Sequence, residues 1–327
     1  MAAKESLPAL PPTRVPSRGH MPPAERTEKR PYGSTHLAPH EPRVQPLSDA
    51  TGSLVRLPDG RMIGLRETGD PQGWPLLVFP GIPCSRLTPL PDVAATSEAG
   101  ARAIVLERPG FGMSSPRPGR RILDWPADVA HVADAMGIDS FAIAGMSGAG
   151  PYLAACALAL PGRVRSVGML GVVCPLNAPG VRGSMTLRRR LMYRALPLAP
   201  YAVPLLRALG PRGVQRVMTD DVPDCDKAIL ARIAEPYARM KREAFRQGPT
   251  AFATELALAA GPWGFRLEDI RVPVHLWHGE FDVSTPVAMG RYLAATIPGC
   301  HATFVAGEGH FVAYAKWAEI LAALAPR

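Results

Sequence analysis

Residues 141–150 read FAIAGMSGAG, and this stretch decides the fold. Its apolar first half is typical of a buried strand, and the sequence after Ser147 continues as PYLAAC, a helical pattern. A strand, a serine between small residues and a helix in direct succession predict a very tight turn. Gly145, Gly148 and Ala149 fit, because only small side chains have room around such a serine. The alternative is an ordinary strand-to-helix turn, since short strings of this kind also arise by chance.

Short apolar runs alternate with helical patterns on both sides of this turn. Residues 54–57 and 62–67 flank a Pro-Asp-Gly turn signal and predict a hairpin. Strands alternating with helices predict a mainly parallel sheet with helices on both faces. The further predicted strands are 76–79, 103–106, 167–172, 274–277 and 302–305, and the further predicted helices lie near 90–99, 124–136, 286–296 and 311–324.

Two segments fall outside the alternation. Residues 1–48 are rich in proline, arginine and serine, so we expect a disordered tail without a function of its own. Residues 176–265 indicate several helices punctuated by prolines, inserted between two strands of the sheet. We therefore predict a core made of residues 49–175 and 266–327, with residues 176–265 as a helical cap.

The positive charge is concentrated in these same two segments. The formal net charge is +9, of which residues 1–48 carry +3 and residues 176–265 carry +7, while the remainder carries −1. A nucleic-acid-binding protein would show a basic core or a recognisable binding motif, so we expect no nucleic-acid partner. No apolar run reaches the length of about 18 residues that a membrane span requires.

The five cysteines are scattered, and none forms a Cys-x-x-Cys motif. An odd number without metal-ligand spacing favours free thiols over a disulfide framework or a zinc site. Free thiols indicate a reducing compartment, so we expect a cytoplasmic protein without a metal centre.

Four motifs in a fixed order carry a resemblance to a known family. They are PGIP at 80–83, ERPGFGMS at 107–114, GMSGA at 145–149, and the segments at 278–286 and 307–310. With these motifs, the sequence resembles the α/β-hydrolase superfamily, in its capped branch of esterases, epoxide hydrolases and haloperoxidase-like enzymes, from about Leu54 to about Leu324. In that family the third motif is the nucleophile elbow and the last two segments carry the acid and the histidine. Pro80 replaces the family's usual histidine, Glu107 its aspartate and Ala149 a glycine.

The resemblance implies a catalytic triad of Ser147, Asp282 and His310. A serine hydroxyl is a poor nucleophile at neutral pH, and needs a base within hydrogen-bond reach and a third group that holds the base. His310 would be that base and Asp282 the orienting acid, in the chain order that this fold uses. The family's oxyanion hole implies the backbone N–H groups of Ile82 and Gly148.

Several of these assignments have alternatives. Glu280 is a second candidate for the acid, although it lies two residues before Asp282 and is expected to be exposed. His310 has the alternative role of capping the last helix. We expect His278 to be structural and His275 to be a core residue.

We expect a serine esterase that needs no cofactor and acts on a small apolar acyl or aromatic ester. Ser147 at the nucleophile position argues against a haloalkane dehalogenase and an epoxide hydrolase, since the members of those classes that resemble this architecture use aspartate there. A lactonase, a C–C hydrolase, an aminopeptidase and a haloperoxidase-like perhydrolase remain alternatives within the enzymes. A ligand receptor on the same fold is the alternative outside them.

The predicted cap contains a basic amphipathic stretch. We expect a lid whose apolar face covers the pocket and whose arginines face water, with contact to a membrane surface as the alternative. The residues concerned are Leu187, Leu191, Met192, Leu198, Leu205 and Leu206, with Arg188, Arg189, Arg190 and Arg194.

Overall fold

The structure is a computed structural model, and it describes residues 44–48, 51–185, 187–210 and 222–326. Nine strands within these residues form one sheet, in the order β1-β2-β3-β5-β4-β6-β7-β8-β9. The strands are β1 Val44–Pro46, β2 Ser53–Arg56, β3 Met62–Gly69, β4 Trp74–Phe79, β5 Ala101–Leu106, β6 Phe141–Ser147, β7 Val164–Val172, β8 Val274–Gly279 and β9 His301–Val305.

The sheet is antiparallel at one end and parallel everywhere else. The antiparallel pairs are β1 with β2, β2 with β3 and β3 with β5. Every neighbouring pair from β5 through β4, β6, β7 and β8 to β9 is parallel. The β2–β3 hairpin and the mainly parallel sheet were both predicted and are confirmed. A parallel sheet places the carboxyl ends of β4, β6, β8 and β9 at one edge, where the candidate site lies.

Helices cover both faces of the sheet, and the period of two along β4 divides the core between them. Leu77 and Phe79 face the layer of α2, α3 and α8, whereas Leu76 and Val78 face the layer of α1 and α9. None of the helices described is long and apolar enough to cross a membrane. The four helices that join successive strands and the final helix are α1 Val93–Glu98, α2 Trp125–Ala135, α3 Gly150–Ala159, α8 Val287–Thr296 and α9 Ala313–Leu324.

Helices make up most of the described chain between β7 and β8. The helical segment, as we call residues 176–265, also includes a 3₁₀ helix at Leu196–Ala202 and helical backbone over residues 203–210. Its predicted role as a cap stays a prediction, as do the predicted boundaries between cap and core. Its α-helices are α4 Leu187–Ala195, α5 Asp224–Arg232, α6 Ala234–Ala244 and α7 Thr250–Ala260.

Most of the predicted tail, residues 1–43, lies outside the described residues. Val44–Pro46, however, is a strand that pairs with β2, so assigning residues 44–46 to the tail was wrong. Val44 contributes an apolar side chain to the main core cluster, which a proline-rich composition does not reveal.

Candidate active site

Ser147 sits at the tip of the predicted turn in a strained backbone conformation. Its φ is +57°, and it is the sole non-glycine residue with positive φ in the part of the chain that the structure describes. Such a conformation costs free energy on the order of 1–3 kcal/mol, which the surrounding structure must offset. Two glycines make the turn possible. A Cβ added to Gly145 would lie 2.6 Å from the carbonyl oxygen of Phe79, and one added to Gly150 would lie 2.4 Å from that of Val173.

The predicted oxyanion groups lie beside this turn. A Cβ added to Gly148 would lie 2.3 Å from the Ile82 side chain, and one added to Gly81 would lie 3.1 Å from Cβ of Ser147. The loop after β4 and the start of α3 are therefore in direct contact. The backbone N–H groups of Ile82 and Gly148 donate to no acceptor within the described ranges. Both donors are thus available to a ligand.

The structure brings His310 and Asp282 into hydrogen-bond contact. Nδ1 of His310 lies 2.8 Å from Oδ2 of Asp282. Burial lowers the pKa of His310, but the attraction of the Asp282 carboxylate outweighs it and the pKa is raised. The same attraction holds the pKa of Asp282 below its usual range, although burial alone would raise it. The pair therefore favours a charged Asp282 and stabilises the imidazolium form of His310.

Backbone donors fix the Asp282 carboxylate in a turn that follows β8. Its Oδ1 accepts the backbone N–H groups of Ser284 and Thr285, both at 2.8 Å. The Thr285 hydroxyl lies 2.6 Å from Oδ2 and 3.2 Å from Nδ1 of His310. Because these contacts leave Asp282 little freedom, they orient it toward His310.

The rival acid lies elsewhere. Glu280 is exposed, and its nearest cation is Arg291, at 3.8 Å. His278 is fully buried, and its Nε2 lies 2.6 Å from the carbonyl oxygen of Thr285, so it packs under the Asp282 turn. Burial lowers its pKa, which keeps the ring neutral. These positions match a structural role for His278 and leave Asp282 as the carboxylate at His310.

Ser147 and His310 line the same cavity, which encloses about 160 Å³. Its other walls come from the loop after β4 and from the helical segment. Most lining side chains are apolar, which suits a small ligand with an apolar part. They include Ile82, Val173, Leu196, Leu230, Phe245 and Leu256.

The expected lid surface is only partly present. Met192 lines the cavity as predicted, and Leu206 packs beside a small cluster around Phe111. The expectation was wrong for the remaining four leucines, which lie on α4, on the 3₁₀ helix and in residues 203–210 and face outward. Arg190 and Arg194 are exposed, and the side chains of Arg188 and Arg189 are not among those that the structure describes. The outward leucines are Leu187, Leu191, Leu198 and Leu205, each 58–69% exposed.

A buried ionic cluster links the loop after β4 to the helical segment. Arg108 donates through Nη1 and Nη2 to the carbonyl oxygens of Pro80 and Gly81, the latter at 2.8 Å. Its Nε donates to Oε2 of Glu255 on α7 at 2.7 Å. Arg120 and the Tyr152 hydroxyl, at 2.8 Å, both reach Oε1 of the same carboxylate. Arg108 therefore fastens the loop that carries Pro80 and Ile82.

Glu107 is buried beside this loop. Its carboxylate pairs with Arg86 at 2.9 Å and accepts the backbone N–H of Met113 at 2.8 Å. Gly64 and Gly112 leave room for this carboxylate, since a Cβ on either would lie within 2.2 Å of its oxygens. The missing side chains at these two positions therefore accommodate a glutamate here.

A second carboxylate of the helical segment holds the backbone of His310. Asp226 on α5 is buried, and its two oxygens accept the backbone N–H groups of His310 at 2.8 Å and Phe311 at 3.0 Å. Gly309 allows this approach, because a Cβ there would lie 2.3 Å from the carboxylate. Asp226 thus ties α5 to the loop that carries the histidine.

Sequence reasoning missed Asp226, Glu255 and Lys241, which all belong to the helical segment. Glu255 did leave a signal, since it is the one charge in the otherwise apolar helix TAFATELALAA. Asp226 resembled an ordinary acidic residue in the first turn of a helix, where it interacts well with the helix dipole. Lys241 looked like one more cation of a basic segment.

We predict that Glu255→Gln lowers the free energy of unfolding by roughly 3–5 kcal/mol, because it leaves two buried arginines without a counter-charge. Urea denaturation at neutral pH measures this. The pKa of Glu255 is lowered: burial raises it, but Arg108 and Arg120 outweigh burial. Its contribution is therefore complete above the unfolded carboxylate pKa of about 4.3 and lost as pH falls through the folded-state pKa.

The matched control is Glu235→Gln, which removes an exposed partner of Arg242 at 3.4 Å. Such a pair contributes at most about 1 kcal/mol, so we expect near wild-type stability. Equal losses in the two variants would show that the buried cluster does not stabilise the fold.

No family model matches the sequence, and no curated protein matches it. Solved structures do match it. One is a hydrolase from Pseudomonas aeruginosa PA01, with 17% identity over 84% of this chain and 97% of that one and a TM-score of 0.64. An enol-lactonase from Burkholderia xenovorans LB400 has 20% identity over 83% and 97% of the two chains and a TM-score of 0.61, and an α/β-hydrolase fold protein from Chitinophaga pinensis has 17% identity over 83% and 94% and a TM-score of 0.61. At such identities the likeness concerns the fold. The mainly parallel sheet with helices on both faces and these neighbours agree that this chain has the α/β-hydrolase fold.

Proposed function

We propose that the chain is a serine hydrolase that cleaves carboxylic esters through an acyl-enzyme on Ser147. The observation that carries the proposal is the 2.8 Å contact of His310 Nδ1 with Asp282, next to a cavity that Ser147 and His310 share. A strained serine, a base and a buried acid, in the chain order of this fold, are the parts that nucleophilic catalysis needs.

The first step is attack by Ser147 Oγ on the ester carbonyl. With Nδ1–H of His310 donating to Asp282, Nε2 is unprotonated and takes the serine proton. Asp282 stabilises the imidazolium that results. His310 then returns the proton to the departing alcohol, which leaves an acyl group on Ser147. Water, activated by His310 in the same way, hydrolyses the acyl-enzyme and regenerates the serine.

The reaction also requires that the negative charge on the oxygen of the tetrahedral intermediate be stabilised. The N–H groups of Ile82 and Gly148 would bind the oxyanion, and both lack a competing acceptor among the described residues. Arg108 supports this role indirectly, because its bonds to Pro80 and Gly81 immobilise the backbone just before Ile82. A loop fixed in advance spends no free energy on reorganisation during the reaction.

The apolar walls of the cavity support a small acyl or aromatic ester as substrate. Lactones are cyclic esters and pass through the same steps. A receptor on the same fold would also bind such a ligand, but it would not release product repeatedly. Multiple turnover is therefore the property that separates the proposed enzyme from a receptor.

The direct test is hydrolysis of a series of para-nitrophenyl esters of increasing acyl length. We expect multiple turnover by the wild type and a loss of about 10³-fold or more in kcat for folded Ser147→Ala, since removing the nucleophile removes the covalent route. Unchanged activity in Ser147→Ala, or release of no more than one product molecule per protein, would contradict the proposal.

The acid is tested by two isosteric substitutions in one loop. Asp282→Asn should lower kcat on the order of 10³- to 10⁴-fold, because it removes the charge and favours the wrong tautomer of His310. Glu280→Gln should cost less than about tenfold, since Glu280 is exposed. Circular dichroism shows whether each variant is folded. A larger loss in folded Glu280→Gln would require a different triad.

The activity should also report the pKa of His310. Only the neutral ring accepts the serine proton, so kcat/KM should fall as pH drops through that pKa. Because Asp282 raises it, half-maximal activity should lie above the ordinary histidine value of about 6.5. The residual activity of Asp282→Asn should reach its half-maximum at a lower pH. A wild-type pH of half-maximal activity below 6.5, or one that Asp282→Asn does not change, would contradict the assignment of His310 as the base and Asp282 as its acid.

A further inference from the structure

Lys241 on α6 lines the cavity that contains Ser147 and His310. Apart from His310, it is the one basic side chain among the described residues of that wall, which is otherwise mostly apolar. It also lines a smaller neighbouring cavity of about 60 Å³, again with Ser147 and His310. A positive charge therefore faces the space that a bound substrate would occupy.

No ion pair neutralises the Lys241 ammonium group in the described parts of the chain, where no carboxylate lies within 4.0 Å of it. Its Nζ donates to the carbonyl oxygen of Pro83 at 2.9 Å, hydrogen-bonds the Tyr237 hydroxyl, and lies 5.0 Å from the centre of that ring. An ammonium has three N–H donors, and removing its charge from water without a counter-ion is unfavourable. Lys241 thus keeps one N–H donor and a positive charge that no ion pair with these residues offsets.

Asp226 is the carboxylate that shares this wall, but it serves another partner. Each of its oxygens accepts one backbone N–H group, from His310 and Phe311. Burial lowers the pKa of Lys241, but electrostatic interaction with Tyr237 and Cys84 and the hydrogen bond to Tyr237 raise the pKa by more, so the side chain is charged at neutral pH.

We propose that Lys241 binds a carboxylate of the substrate, so that the substrate is an ester or lactone whose acyl part carries a terminal carboxylate. A single lysine matches one monoanionic group, whereas a phosphate would call for several donors. The apolar walls would contact the chain between the carboxylate and the ester. The inference rests on the proposed function and adds the substrate class to it.

The experiment compares mono-para-nitrophenyl esters of succinate, glutarate, adipate and pimelate with the same compounds methylated at the free carboxylate. Each pair has nearly the same length and differs in charge. We expect the wild type to prefer the charged ester at one chain length at least, by about tenfold or more in kcat/KM, which is the size of one hydrogen bond to a charged group.

Lys241→Gln is the informative variant, because glutamine can still donate to the Pro83 carbonyl but carries no charge. It should lose the preference, measured as the ratio of kcat/KM for the charged ester to kcat/KM for its neutral diester. The matched control is Arg242→Gln on the same helix, where Arg242 is exposed and pairs with Glu235. The control should keep the preference.

Binding to Ser147→Ala separates this inference from the proposed function. Calorimetry with the monomethyl ester of the preferred diacid, against its dimethyl ester, should show tighter binding of the charged ligand and the loss of that difference in Ser147→Ala/Lys241→Gln. If no ester is hydrolysed but Ser147→Ala still binds the charged ligand more tightly than the neutral one, only the proposed esterase activity is overturned. No charge preference in either assay, or an equal loss for both esters in Lys241→Gln, would overturn the role of Lys241.

Discussion

The constraint on which the rest of the site depends is the strand-to-helix turn at Ser147. A serine with φ of +57° persists only where its surroundings determine the backbone, and here β4 and the chain after β7 approach so closely that residues 145 and 150 must be glycine. The turn lifts Ser147 to the carboxyl edge of the parallel sheet. The loops after β8 and β9 reach the same edge, so Asp282 and His310 arrive there by topology.

Attachment to the sheet edge alone would leave these loops free to move. Buried charged side chains restrict them by hydrogen bonding to their backbones. Arg108 bonds two carbonyls of the loop after β4 and is itself anchored to Glu255. Asp226 bonds the backbone N–H of His310. Both anchoring carboxylates lie on the helical segment, so helices that line the cavity also position the proposed catalytic groups. A displacement of α5 or α7 would therefore move His310 and the loop that carries Ile82.

The fold was readable from the sequence because its signals are local. Apolar runs and the FAIAGMSGAG turn predicted the strands within a few residues, and the motif order predicted which residues would meet. The helical segment was less readable, because the partner of each side chain lies far away in sequence. Glu255 pairs with Arg108 and Arg120, which precede it by 147 and 135 positions in the sequence. Hydrophobicity alone could not distinguish Leu191, which faces outward, from Met192, which lines the cavity. Strand Val44–Pro46 was missed because one pairing, not composition, holds it.

The central claim is that Ser147 becomes covalently acylated during turnover. Mass spectrometry of peptides from enzyme quenched in acid during hydrolysis of a para-nitrophenyl ester tests it directly. We expect an added acyl group on the peptide that contains Ser147, which appears with the first product and disappears when the ester is exhausted. Steady hydrolysis with no acyl group on that peptide, or with the acyl group on another residue, would contradict it.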